Sequence, residues 1–344
     1  MIKYLKVGLI VLLALLFQSN DSVLNSSGGD LFPVLESDIE IQKEVLKLTL
    51  RNDMYVDVYF EFFNPKEEKE LTVGFVVPPK YSPEYSDVDS VDIEKRKPDI
   101  EDFTVVINDS LTDYKFGLLK DTPFTKLKEV EGEWNYVYYF KARFKSGLNI
   151  VKHTYSFNGG YDSSGGSFYN YVLLTAKNWA GKGIADFTLQ IDMGSDIEFE
   201  MLEDISYYDD WKIVGVGNKR ARNFYIKDGF IELKKKNLKP IEDINIYVPG
   251  RIAEYQDPES LAYQAEIAEL EELESLSADR LRMLRNYFFA RKGYKFNSKD
   301  LLKFYSRCIW YLPVEGKTSE EIFALMDEKT KKRIEVLRKL ERAK

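Results

Sequence analysis

Between residues 39 and 248 apolar and polar residues alternate with a period of two, in short runs broken by Gly, Asn, Asp, Ser and Pro. Ile39 and Ile41 alternate with Glu40 and Gln42, and Leu46, Leu48 and Leu50 with Lys47 and Thr49, which is the pattern of strands with one buried face. Residues 54–62 continue the alternation, Asn64 and Pro65 turn the chain, and residues 73–77 form a run stopped by Pro78 and Pro79. Further strands are predicted at 103–107, 136–144, 149–157, 168–174, 187–191, 197–201, 211–214, 223–226, 230–233 and 244–248. Residues 26–29 read as a flexible lead-in, and residues 80–99, polar and rich in Asp, as a long loop. Short strands with frequent turn signals predict antiparallel sheets packed as one or two sandwiches.

Near residue 258 the period lengthens. Tyr263, Ile267, Leu270 and Leu273 recur at helical spacing among Glu266, Glu269, Glu271, Glu272 and Glu274, which predicts an acidic amphipathic helix. Ser277 is placed to cap a second helix whose apolar face is Leu281, Leu284 and Phe288. Gly293, just after Arg291 and Lys292, occupies the position of a left-handed residue past a helix end. A third helix is predicted from Asn297 or Ser298 to Leu312, before Pro313. A fourth opens on the capping box Thr318-Ser319-Glu320-Glu321 and carries Ile322, Leu325, Ile334, Leu337 and Leu340. The expected fold class is therefore α+β as separate domains: a β-sandwich body over residues 20–256 and a small helical domain over 257–344.

The first residues change the picture of where such a chain works. Lys3 and Lys6 precede an apolar run at 7–17 that ends at Gln18, which predicts a secretory signal peptide over residues 1–19. The run is shorter than the roughly 20 residues that span a bilayer, so the mature chain is expected to be soluble, without a transmembrane segment, and periplasmic or extracellular. With no Cys following the run, lipid attachment is not expected. Cys308 is the sole cysteine and can form no internal disulfide; in its apolar stripe it is expected as a buried, inert thiol. A chain of 344 residues that is 44% hydrophobic can stabilise itself by core burial instead. From Leu281 onward 17 Lys and Arg face 8 Asp and Glu, while the whole chain carries a net −8, so a basic tail follows an acidic body.

Little catalytic chemistry is legible. His153 is the sole histidine, on a strand face shared with Val151 and Tyr155, so no paired-histidine zinc site and no second imidazole are available. Asp87, Asp89, Asp209 and Asp210 lack the spacing of a calcium loop, and the glycines at 159–160 and 165–166 read as hairpin turns rather than a phosphate cradle. No metal, cofactor or catalytic residue is assigned, and no nucleic-acid module is present. A hydrolase using two carboxylates in the β body, acting on polysaccharide or peptidoglycan, is the alternative to a binding protein.

Two resemblances add to this reading. Phe289-Ala290-Arg291-Lys292-Gly293, followed by Tyr294, Phe296 and Trp310-Tyr311, resembles the YARHG domain of bacterial exported proteins, with Lys292 where the motif has His. Gly28-Gly29-Asp30-Leu31, Ser37-Asp38-Ile39, Phe63-Asn64-Pro65 and the run from Tyr171 through Thr175 to Trp179 look like domain of unknown function family four-four-two-four, also exported. The resemblances imply compartment and architecture, and no activity. The residues expected to bind a ligand are Arg291, Lys292, Lys295, Trp310 and Tyr311. Arg291 either bridges to an acid or to helix-end carbonyls, or reads an anion with Lys292 and Lys295; Trp310 and Tyr311 either close a core or offer a platform to sugar rings. The expected function is that of an exported, non-enzymatic cell-envelope binding or scaffold protein whose basic tail meets cell-wall polymer or an envelope protein.

Overall fold

The structure, a computed structural model, describes residues 27–29, 32–33, 38–77, 100–124, 136–202, 210–250 and 260–344. The expected signal peptide, the loop at 80–99 with Asp87 and Asp89, Asp209, and the junction at 251–259 lie outside these residues. The strands are β1 (Ser27–Gly29), β2 (Phe32–Pro33), β3 (Glu40–Leu50), β4 (Met54–Asn64), β5 (Lys69–Val77), β6 (Glu101–Ile107), β7 (Ser110–Leu111), β8 (Tyr114–Leu118) and β9 (Tyr136–Phe144). They continue as β10 (Gly147–Phe157), β11 (Gly160–Tyr161), β12 (Ser167–Val172), β13 (Ala180–Asp192), β14 (Ile197–Met201), β15 (Lys212–Arg220), β16 (Asn223–Leu238) and β17 (Ile244–Val248). The helices are α1 (Leu270–Glu274), α2 (Ala278–Arg291), α3 (Lys299–Tyr305), α4 (Ser319–Ala324) and α5 (Glu328–Arg342).

The predicted alternation is realised in the β body: along β4, Met54, Val56, Val58, Phe60 and Phe62 are all buried. A 13-stranded sheet runs β1, β12, β17, β14, β16, β13, β3, β4, β10, β6, β7, with β11 beside β12 and β15 beside β16. A 4-stranded sheet, β2, β5, β9, β8, packs over part of it. Phe75 of the small sheet lies 5.0 Å from Phe103 and 5.4 Å from Tyr155 of the large one, ring centre to ring centre. The body followed by helices is the expected α+β architecture, but the pairing is not antiparallel throughout. β3 runs parallel to β13, pairing Leu46 with Leu189 and Leu48 with Ile191, and β1 runs parallel to β12. Alternation reports which face is buried and carries no information on strand direction. For the same reason the expected lead-in is, at Ser27–Gly29, an edge strand, and the two runs expected at 223–226 and 230–233 are one strand.

The run from Tyr171 to Trp179 closes the body. After β12 the chain makes a short 3₁₀ turn at Leu174–Asn178, and Trp179 drops into the core 4.4 Å from Phe62 and 5.8 Å from Phe144. Asp243 accepts from the backbone N–H groups of Leu173 and Leu174 at 2.8 and 3.0 Å and so caps that turn. Burial raises the Asp243 pKa while those two hydrogen bonds oppose the rise.

The helical segment has the expected signals but more breaks. Ser277 accepts from the Arg280 N–H to start α2, and Thr318 and Glu321 form the expected capping box. The helix expected from Tyr263 to Leu273 is instead a π turn at Tyr263–Ile267 and the short α1, split at the extended residue Ala268. Ala262, Ala265 and Ala268 form the buried face there, because small side chains permit close approach, and Ile267 and Leu270 are left exposed. α3 stops at Tyr305, well before Leu312, and the fourth helix is broken in two by Asp327, which caps α5 by accepting from the Thr330 N–H. α2 and α5 pack together through Leu281, Leu284, Tyr287 and Leu337, flanked by the Arg285–Glu341 ion pair at 2.6 Å. Gly293 has φ of 78°, and a Cβ there would meet the Leu312 carbonyl oxygen at 2.8 Å, so the returning chain needs glycine.

Candidate functional site

The end of α2, the π turn and the α4–α5 junction enclose a cavity of about 490 Å³, within the range of small-molecule sites. Its walls are Glu266 and Ile267 from the π turn, Tyr287, Phe288, Arg291 and Lys292 from α2 and its C-cap, and Leu325, Met326, Asp327, Lys329, Thr330 and Arg333 from the junction and α5. Four cations thus face two acids, but the six differ in what already holds them. Glu266 accepts from the Tyr287 hydroxyl at 2.9 Å. Asp327 accepts from the N–H and the hydroxyl of Thr330 at 2.8 and 3.0 Å, which holds its carboxyl below the usual range. Arg333 donates to the carbonyls of Gln264, Ala265 and Ala268, the groups that the π turn and the break at Ala268 leave without helical partners. Burial lowers the Arg333 pKa, and Glu269 and Glu272 oppose that shift.

The remaining cations are open. The Arg291 guanidinium lies over the Trp310 ring, 4.9 Å from its centre, an arrangement that leaves its in-plane N–H groups for another partner. Lys292 and Lys329 are exposed, and neither they nor Arg291 form a salt bridge among the described residues. Lys292 caps the C-terminal end of α2, where a positive charge is favourable.

The five residues expected from sequence therefore divide. Arg291 and Lys292 line the cavity, and Trp310, outside that lining, lies under the Arg291 guanidinium. Lys295 points to Glu315, with which it forms an ion pair, and is not among the cavity's lining residues. Tyr311 is buried and closes the core, its hydroxyl donating to the Tyr294 carbonyl at 2.7 Å, so it offers no platform to a sugar. Trp310 is half-buried, 5.6 Å from Tyr287 and 6.0 Å from Tyr305. Sequence reading missed Lys329, Arg333 and Tyr287. Lys329 and Arg333 stand one helical turn apart, which was a visible signal, but nothing in the chain tied that turn to Arg291.

The body contributes a clamp. From β15, Asn218 donates to the carbonyls of Ile309 and Tyr311 at 2.7 and 3.1 Å, and Arg220 donates to those of Ser306 and Arg307. These contacts hold the loop that carries Trp310.

Elsewhere the chemistry is sparse. His153 is fully buried among Phe60, Phe75, Phe103 and Tyr155, neither ring nitrogen has a hydrogen-bond partner, and burial pushes its pKa down to about 3. Asp57 and Asp102 share an open groove of about 340 Å³ with Lys47 and Tyr55, both carboxylates exposed. Among the described residues no group of three or more His, Cys, Asp or Glu could hold a metal ion. Among those residues, too, no helix is long and apolar enough to cross a membrane.

Residues 258–342 match the YARHG domain family. The family likeness expected for residues 20–250 gains no support. The chain as a whole is similar to a Legionella pneumophila protein, provisionally termed a nutrient binding protein, with 20% identity and a TM-score of 0.56 over 93% of this chain and 100% of that one. That likeness is one of fold. An M1 zinc metallopeptidase from Deinococcus radiodurans aligns at 8% identity and a TM-score of 0.26, covering 63% of this chain and 45% of that one. Yeast LTA4 hydrolase aligns at 10% identity and 0.28, covering 61% and 28%. Neither superposes well enough to carry an argument. Among curated proteins no sequence matches.

Proposed function

We propose that this chain is an exported, non-enzymatic binding or scaffold protein of the bacterial cell envelope, in which the YARHG segment contacts an anionic partner and the β body presents it. The partner is cell-wall polymer or another envelope protein carrying anionic groups. One observation carries the reading: Arg291, Lys292 and Lys329 stand around an open cavity with no carboxylate engaging them among the described residues. Unneutralised cations gathered at a concave surface raise the local concentration of anions. The signal peptide expected at residues 1–19, and the occurrence of YARHG domains in exported proteins, support the address. The nutrient-binding description of the Legionella protein of the same fold accords with binding rather than turnover. The rival hydrolase would need one carboxyl kept protonated by burial. Asp57 and Asp102, both exposed, are a poor fit to that requirement.

The test is co-sedimentation of the full chain with purified peptidoglycan sacculi at low and high salt, beside a variant carrying Arg291→Gln, Lys292→Gln and Lys329→Gln. Pelleting at low salt that is released at high salt and lost in the variant supports wall contact through this site. Equal pelleting of both proteins places the contact elsewhere, and no pelleting of either removes the cell wall as partner.

A further inference from the structure

We infer that the cavity of the helical segment takes a small amphipathic anion, an oxyanion head on an apolar body, rather than a bare ion or a stretch of polyanion. The inference rests on the anion-binding reading above and specifies its ligand. The head is selected by Arg291, Lys292 and Lys329, which with Arg333 make four cations against the two carboxylates of the lining, Glu266 and Asp327, so the cavity is net positive and favours an anion.

The body is selected by the apolar part of the same wall. Ile267 is 52% exposed and Leu325 74% exposed, and both line the cavity together with Phe288. Single exposed apolar residues are ordinary on a surface. Here two large ones share one concavity with open cations, and each costs free energy unless something covers it. A hydrated ion cannot cover them, whereas an alkyl or ring body attached to the anion can. A cavity of about 490 Å³ accommodates such a molecule, and the guanidinium lying over Trp310 keeps its planar donors ready for a carboxylate or phosphate.

The experiment is isothermal titration of the full chain with octanoate and octyl phosphate below their micellar concentrations. Octanol, acetate and inorganic phosphate are run beside them, and vesicles with and without anionic lipid are tested by flotation. The expected result is saturable one-to-one binding of octanoate or octyl phosphate, roughly ten-fold or more tighter than any of the three fragments, since a head and a body each contribute. Lys329→Gln and Leu325→Ser, both at exposed positions that the fold does not require, should each weaken it about ten-fold with thermal stability unchanged. Acetate or phosphate binding as tightly as the tailed anions would overturn the inference and leave a simple anion site. Flotation with anionic vesicles without saturable binding of the monomeric amphiphiles would overturn it in favour of a membrane surface. A chain that pellets with sacculi yet ignores octanoate and octyl phosphate would keep the wall-contact reading and lose this one.

Discussion

The side-chain amide of Asn218 in β15 donates to the backbone carbonyl of Tyr311 at 3.1 Å, and so ties the β body to the loop that carries Trp310, the ring beneath Arg291. The same amide reaches the Ile309 carbonyl at 2.7 Å, on the other side of Trp310 in sequence. The aromatic partner of Arg291 is thus held from the sheet as well as from the helices.

Replacing Asn218 with Ala removes both hydrogen bonds, at a cost of about 1–3 kcal/mol for the two together. Amide exchange over residues 306–311 is expected to quicken while exchange in β3, β4 and β10 stays unchanged. Hydrogen-exchange mass spectrometry reads both, and uniform protection of the loop would contradict the clamp.

His153 makes stability depend on pH. Its folded-state pKa is depressed to about 3 from an ordinary 6.5, so as pH falls through 6.5 the unfolded chain takes up a proton that the folded chain refuses. Stability contributed above pH 6.5 is therefore lost progressively down to about pH 3, at about 1.4 kcal/mol per pH unit. His153→Phe should flatten the part of the stability curve between those limits and change little at pH 7, since the ring is surrounded by aromatics and neither nitrogen is hydrogen-bonded. Urea melts at pH 7 and pH 5 of the two proteins check this; parallel losses would assign the acid sensitivity to other groups.

Trp179 is 1% exposed and joins Phe62 and Phe144 where the chain passes from β12 to β13. Trp179→Ala should destabilise by about 3–5 kcal/mol through the cavity it leaves. Asp243→Ala, which uncaps the 3₁₀ turn beside it, should cost about 0.5–2 kcal/mol. Denaturant melts rank the two, and equal effects would argue against Trp179 burial as the main contribution of this run.

Gly293→Ala places a Cβ on a left-handed residue 2.8 Å from the Leu312 carbonyl oxygen. A loss of at least about 1–2 kcal/mol is expected. Because Arg291 and Lys292 immediately precede this turn, the variant should also weaken any salt-dependent binding by the helical segment. Circular dichroism melts together with the sedimentation assay distinguish a stability effect from a binding effect.

Much of the fold was legible because burial on one face imposes a period. The alternation along β4 and the caps at Ser277 and Thr318 stand in the structure where the sequence reading places them. The breaks were not legible. Ala268 and Asp327 interrupt helices that periodicity alone would continue, since apolar residues persist on both sides. What splits the chain there is Arg333 drawing in three carbonyls and the Asp327 side chain taking the Thr330 N–H.

By itself the sequence determined the β body, the helical segment beyond it, the turn at Gly293 and the basic character of the tail, because each depends on the conformational preference or burial of residues close together in the chain. Only the tertiary structure decided strand direction at β3 and β13, the fate of each cation and the existence of the cavity. Lys295 is neutralised by Glu315, Arg333 is held by carbonyls, and Arg291 rests on Trp310, although all three are equally basic in the sequence. A charge is free or paired according to what the fold brings within a few ångströms of it, and those neighbours lie 19 to 69 residues away along the chain.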